Sequence, residues 1–160
     1  MKAKYSRRSA LTVLAASVTF PLLATGADAH EDGVVKVKSA YPFAETISRL
    51  KADVANKGIK FFQEIDQAAL AKTAGIDLRP STLLIFGNPP LGTQFITARP
   101  EAGLDWPVRL LVFEDAAGQV WTAYTDFGWI ARRHGITNRT EQFKMASTVI
   151  ASITSSVTGN

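Results

Sequence analysis

Three apolar runs in the middle of the chain limit its fold more than any other feature. They are Thr82–Phe86, Val108–Phe113 and Val120–Tyr124, each short and rich in β-branched or aromatic residues. Such runs read as strands. In each, apolar side chains occupy both the odd and the even positions, so a sheet built from them needs cover on both faces. Helices can supply one cover. The other must come from the intervening stretch Asn88–Trp106, from a second copy of the chain or from a ligand. The first two runs bracket Gly87-Asn88-Pro89-Pro90, Gly92-Thr93, Pro100, Gly103 and Trp106-Pro107, which together predict a shaped loop. Asp115-Ala116-Ala117-Gly118 joins the last two.

The N-terminal side supplies further strands and a helix. Gly33–Lys38 reads as a half-exposed strand, with Val34, Lys36 and Lys38 on one face and Val35 and Val37 on the other. Phe43, Ile47, Leu50 and Val54 recur at helical spacing, which predicts a helix from Pro42 to Lys57 closed by Gly58. Ile59–Asp66 alternates as a strand near a sheet edge. Gln67–Thr73 reads as a short helix closed by Gly75.

The C-terminal side is helical. A short helix over Gly128–His134 ends at Gly135. A longer one is capped by Thr137 or Asn138. Its buried stripe is Phe143, Ala146, Val149, Ile150, Ile153 and Val157, and Ser147, Thr154 and Ser155 are expected in solvent. The principal order is strand, helix, four strands, helix. The expected fold class is α+β, with a single antiparallel sheet.

The first residues read as an export signal and not as part of this fold. Lys2, Lys4, Arg7 and Arg8 precede a mostly apolar run, Ala10–Ala24, and Ala27-Asp28-Ala29 offers a cleavage pattern. The expectation is a signal over residues 1–29 and one domain over residues 30–160, with its core in 34–157. Ser6-Arg7-Arg8-Ser9-Ala10-Leu11 resembles a twin-arginine signal, with Ala10 where a bulky residue is usual; the general secretory route is the alternative. The apolar run is shorter than the ~20 residues of a membrane span, so no span is expected in the processed chain.

The full chain carries 18 Lys and Arg against 14 Asp and Glu. Four of the bases and one acid lie in residues 1–29, which leaves 14 against 13. So small an excess gives no reason to expect nucleic acid as a partner. With no cysteine, the chain has no disulfide, thiolate metal site or thiol nucleophile.

Leu78-Arg79-Pro80-Ser81-Thr82-Leu83-Leu84-Ile85-Phe86-Gly87-Asn88-Pro89, followed by Gly92-Thr93, resembles the core of the family known as domain of unknown function 302. Pro100-Glu101-Ala102-Gly103-Leu104-Asp105-Trp106-Pro107 and the pair Tyr124 and Asp126 match it too. The resemblance extends over Val34–Arg133 and implies a fold similar to the halves of TATA-box-binding protein, with no DNA-binding role attached. It brings no activity with it. Family members often carry His after the acidic residue ending the second strand, whereas this chain has Gln67 after Asp66.

Candidate site residues fall into five groups. Asn88 and Thr93 follow the central strand; they can orient a ligand's polar group, or start a short helix near Gly92-Thr93. Asp105, Arg109, Glu114, Tyr124 and Asp126 supply charges and a phenol for ligand binding or for acid–base chemistry at the strand ends. Arg132-Arg133-His134 can hold an anion or interact with helix C-terminal carbonyls. His30 as a new N-terminus, with His134, is a weak candidate for copper. Trp106, Trp121 and Trp129 are candidates to line a pocket. No nucleophile elbow, zinc-binding His-Glu-x-x-His or phosphate loop is present. These residues indicate a ligand-binding or interaction module, with a small ligand or a homodimer as the expected partner. An enzyme, or a copper or haem accessory protein, is the alternative. No cofactor is specified.

Overall fold

The computed structural model describes residues 33–159. The expected export signal and His30 lie outside them. The chain runs β1 (Val34–Lys38), α1 (Phe43–Asn56), β2 (Lys60–Asp66), α2 (Gln67–Thr73), β3 (Ser81–Gly87), α3 (Pro89–Ala98), a 3-10 turn (Pro100–Leu104), β4 (Val108–Glu114), β5 (Val120–Thr125), α4 (Phe127–Arg133) and α5 (Thr140–Ser155). The strands form one five-stranded antiparallel sheet, ordered β1-β5-β4-β3-β2. The α+β expectation holds, and β2 lies at an edge as its alternation implied. A bulge between Phe61 and Gln63 interrupts its pairing with β3.

Local chemistry sets the connections. Pro42 occupies the position before α1, where its fixed φ suits a helix start, and Gly58 takes φ 64° just past the helix end. Between β4 and β5, Asp115 Oδ1 accepts hydrogen bonds from the Ala117 and Gln119 amides while Gly118 takes φ 78°. A side chain that bonds its own turn and a glycine in left-handed backbone make a tight hairpin.

One core lies between the sheet and α1, α3, α4 and α5. Leu84, Leu110 and Val112 are fully buried from the sheet side, as are Leu50 and Ile153 from α1 and α5. Each buried side chain of that size contributes about 1.5–3 kcal/mol. The α5 stripe is as expected, except that Thr154 is buried and donates from its hydroxyl to Ile150 O. That bond back to its own helix lets a polar residue lie inside. Neither Thr137 nor Asn138 caps α5; Arg139 stands at that position without a side-chain bond.

The stretch after β3 is helical where a loop was expected. Asn88 Oδ1 accepts from the Leu91 amide, and Pro89 and Pro90 occupy the first helical positions of α3. Prolines there lose no hydrogen bond, because the first helical amides have no partner within the helix. Thr93 caps nothing; its hydroxyl donates to Pro89 O. This helix does not cover the second face. Phe95 stacks on Phe143 of α5 at 4.1 Å between ring centroids and meets Phe127 of α4, so α3 packs on the helix side.

Candidate functional site

The opposite face of the sheet has an apolar centre with polar residues around it, and among the described residues only α2 reaches it, at the end of β3. Strand register sets out its rows. Lys38, Trp121, Phe113 and Ser81 align across β1, β5, β4 and β3. Lys36, Ala123, Leu111, Leu83 and Ile65 form the next row, and Arg109, Ile85 and Gln63 align in the one after. Ile65, Leu83, Ile85, Leu111, Phe113 and Trp121 are all half-buried, whereas Leu84, Leu110 and Val112, one position along, are sealed. The two-face pattern in the sequence is thus met by helices on one side only.

This face is shaped at one end. Gln67 Oε1 accepts from Ser81 Oγ at 2.8 Å and ties α2 to the end of β3. The chain from Gly75 to Pro80 then borders the sheet and carries Ile76 and Leu78, 61 % and 46 % exposed. Leu78, Leu111 and Phe113 line one broad open concavity together with Arg79, Glu114 and Asp115. Asp115 Oδ2 accepts from Trp121 Nε1 at 2.8 Å, which fixes the indole on this face. That bond, followed by those from the Gln119 and Ala117 amides, holds the Asp115 carboxyl below its usual range.

A second cluster sits at the other end of β4. Asp105 is 8 % exposed and takes two arginines and a histidine. Arg109 Nη2 donates to its Oδ1 at 3.2 Å and also to Leu104 O. Arg133 Nη1 donates to both carboxylate oxygens. His134 Nε2 lies 2.7 Å from Oδ2. The cavity beside them, lined by Asp105, Val108, Arg109, Thr125, Phe127 and Ile130, measures about 10 Å³. That is room for about one water and none for a substrate. The arrangement clamps the 3-10 turn to the end of α4.

The sequence candidates therefore separate. Asp105 and Arg109 meet, as proposed for a charged site. Glu114 stands at the far end of the same strand, about 16 Å away at a strand's rise of about 3.3 Å per residue. Asp126 is engaged elsewhere, since its carboxylate caps α4 by accepting from the Trp129 amide at 2.7 Å. Tyr124 lies on the helix side, packed against the core. Burial, then the nearby Asp126 carboxylate, pushes its phenol up. Asn88 and Thr93 serve α3 itself. Arg133 and His134 hold neither a free anion nor their own helix end but Asp105. His134 Nε2 is engaged by Asp105 and its side chain is 7 % exposed; His30, the other copper candidate, lies outside the described residues. The described residues contain no group of three or more metal-ligating side chains.

The tryptophans do not share a pocket. Trp121 is on the uncovered face. Trp129 packs where a Cβ on Gly33 would fall, and Arg133 lies over its ring at 5.3 Å. The Trp106 indole fills the space above Gly92 and Gly87 and lines a cavity of about 40 Å³ against α3 and α5. The Asp105–His134 contact has no local sequence signal; 29 residues separate the two.

Known proteins place these features in a family. A crystal structure of an uncharacterised conserved DUF302 protein from Bacillus stearothermophilus superposes with a TM-score of 0.71 at 16 % identity, covering 78 % of this chain and 98 % of that one. Among curated proteins, the Fluoride-specific ion channel FluC 1 of Brucella suis biovar 1 (strain 1330) is 42 % identical over 106 residues, 66 % of this chain. A protein of the same name from Brucella abortus biovar 1 (strain 9-941) matches equally well. The chain spans about two fifths of the length of these relatives (42 % and 39 %). The family described as domain of unknown function DUF302 matches residues 35–153, and the chain belongs to that family.

Proposed function

We propose that this protein is an exported, non-catalytic interaction module that uses the uncovered sheet face as its docking surface. The observation behind it is the patch of Leu83, Ile85, Leu111, Phe113 and Trp121, left half-exposed beside a fully packed core. Contiguous exposed apolar surface of this kind marks interaction sites. The charged cluster at Asp105 offers no room for a substrate, which removes the main support for an enzyme. The curated relatives are longer proteins in which the matched part is a minority, as suits a module that works alongside another part. Their channel activity is not assigned to this chain, whose described helices are all too short or too polar to cross a membrane. Export rests on the basic start, apolar run and Ala27-Asp28-Ala29 of the sequence.

An apolar fluorescent dye tests the surface. The folded protein should bind it, and Leu111→Thr with Phe113→Thr should abolish most of the signal without unfolding. A folded protein that binds no dye would refute the docking surface. N-terminal sequencing of protein recovered from cells tests export, with His30 expected as the first residue.

A further inference from the structure

The uncovered face is a shallow trough with one basic border. Lys36 pairs across β1 and β5 with Ala123, and Lys38 with Trp121, so both ammonium groups flank the apolar floor. Neither has an ion pair among the described residues. The opposite border, on β2, carries Gln63 and Ile65 and no carboxylate. Five strands about 4.8 Å apart, with some five residues of about 3.3 Å each, give a floor of roughly 400 Å².

This shape and charge narrow the occupant. Pockets for small ligands enclose about 70–90 % of the molecule, and an open floor cannot. A second copy placed face to face about a two-fold axis sets β1 over its counterpart or over β2. Lys36 and Lys38 would then meet the same lysines, or Gln63 and Ile65, while the carboxylates of this face, Asp77, Glu114 and Asp115, stand at the ends of the inner strands β3 and β4, off both borders. The chain's own apolar run, Ala10–Ala24, follows Lys2, Lys4, Arg7 and Arg8, which repel the same border. An anionic bilayer would meet Asp77, Glu114 and Asp115 across the whole concave end, whereas a helix about 10 Å across can keep its charged flank over β1 alone.

We propose that the trough receives an amphipathic α-helix of a partner protein, its apolar stripe on Leu83 and Leu111 and its carboxylates facing Lys36 and Lys38. The proposal rests on the docking-surface reading above. A helix is about 10 Å across and rises 1.5 Å per residue, so about twelve residues span the strands. It would cover two or three of them and complete a helix–sheet–helix sandwich. Helices dock in grooves through such i, i+3, i+4, i+7 anchors.

A labelled 18-residue peptide with a leucine stripe and glutamates along one flank serves as the probe, read by fluorescence anisotropy. Its counterpart has lysines in place of the glutamates. Both are titrated against the chain with and without residues 1–29, whose removal leaves every core element in place. The glutamate peptide should bind in preference. Leu111→Asp should weaken it at least tenfold, with Leu83→Gln as the milder variant should Leu111→Asp not fold. Lys36→Glu with Lys38→Glu should weaken it about three- to tenfold, as two exposed ion pairs allow, and should shift preference to the lysine peptide.

Equal binding of both peptides, unchanged by the lysine reversals, would overturn the acidic helix while leaving the docking surface intact. So would a dimer that Leu111→Asp dissociates, which would make a second copy the occupant. Peptide binding only after removal of residues 1–29 would assign the trough to that segment, and preferential binding to phosphatidylglycerol vesicles would assign it to a membrane. Loss of both dye and peptide binding would end both readings.

Discussion

His134 Nε2 lies 2.7 Å from Asp105 Oδ2, joining the end of α4 to the 3-10 turn before β4. Arg109 and Arg133 complete the grip. Asp105→Ala would leave these cations without their counter-charge. Their partial exposure (about half for each arginine side chain, 50 % and 44 %) lets them turn to water, so the expected loss is about 1–3 kcal/mol. Urea denaturation measures it, and a loss below about 0.5 kcal/mol would show that the clamp does not stabilise the fold.

Leu110 and Leu111 are adjacent in β4 and face opposite ways. Leu110→Ala empties a sealed site and should cost about 2–5 kcal/mol. Leu111→Thr changes the uncovered face, introduces β-branching suited to a strand and should cost less than about 1 kcal/mol. Denaturation midpoints of the two variants give the comparison. Equal losses would mean that the second face is covered after all.

Gly92 has no room for a Cβ because the Trp106 indole occupies that space. Gly92→Ala should destabilise by about 1–3 kcal/mol through overpacking. Combining it with Trp106→Leu should recover part of that loss, since contacting sites are not additive. A double-mutant cycle with no coupling would contradict the contact.

Trp121 Nε1 is the largest influence on the Asp115 carboxyl, ahead of the Gln119 amide. The folded value lies below 3.8, the ordinary one. A depressed carboxyl contributes stability that is present above the unfolded value and lost as pH falls through the folded one. Trp121→Phe removes the donor, so the Asp115 titration followed by NMR should move up toward 3.8. The contribution it makes above that pH should shrink. A titration unmoved by the substitution would rule out the indole as the cause.

Much of the architecture was legible because it rests on short-range chemistry. Phe43, Ile47, Leu50 and Val54 announce a helix by spacing, and Gly58 and Gly118 mark its end and a hairpin through the backbone only glycine adopts easily. The excursion after β3 is helical although its Gly and Pro residues predict a loop. The prolines are harmless at the first positions of a helix that Asn88 caps. Thr154 is buried although a hydroxyl reads as polar, because its own helix satisfies it.

That the central strands carry apolar residues on both faces follows from residue order alone, since alternation depends only on which residue follows which. Which face the helices cover, that α3 packs with them, and that Lys36 and Lys38 border the face left open emerge only when the elements stack. The tertiary structure also brought Asp105 to Arg133 and His134. These are meetings between distant parts of the chain, and they depend on how elements stack, which no local spacing records.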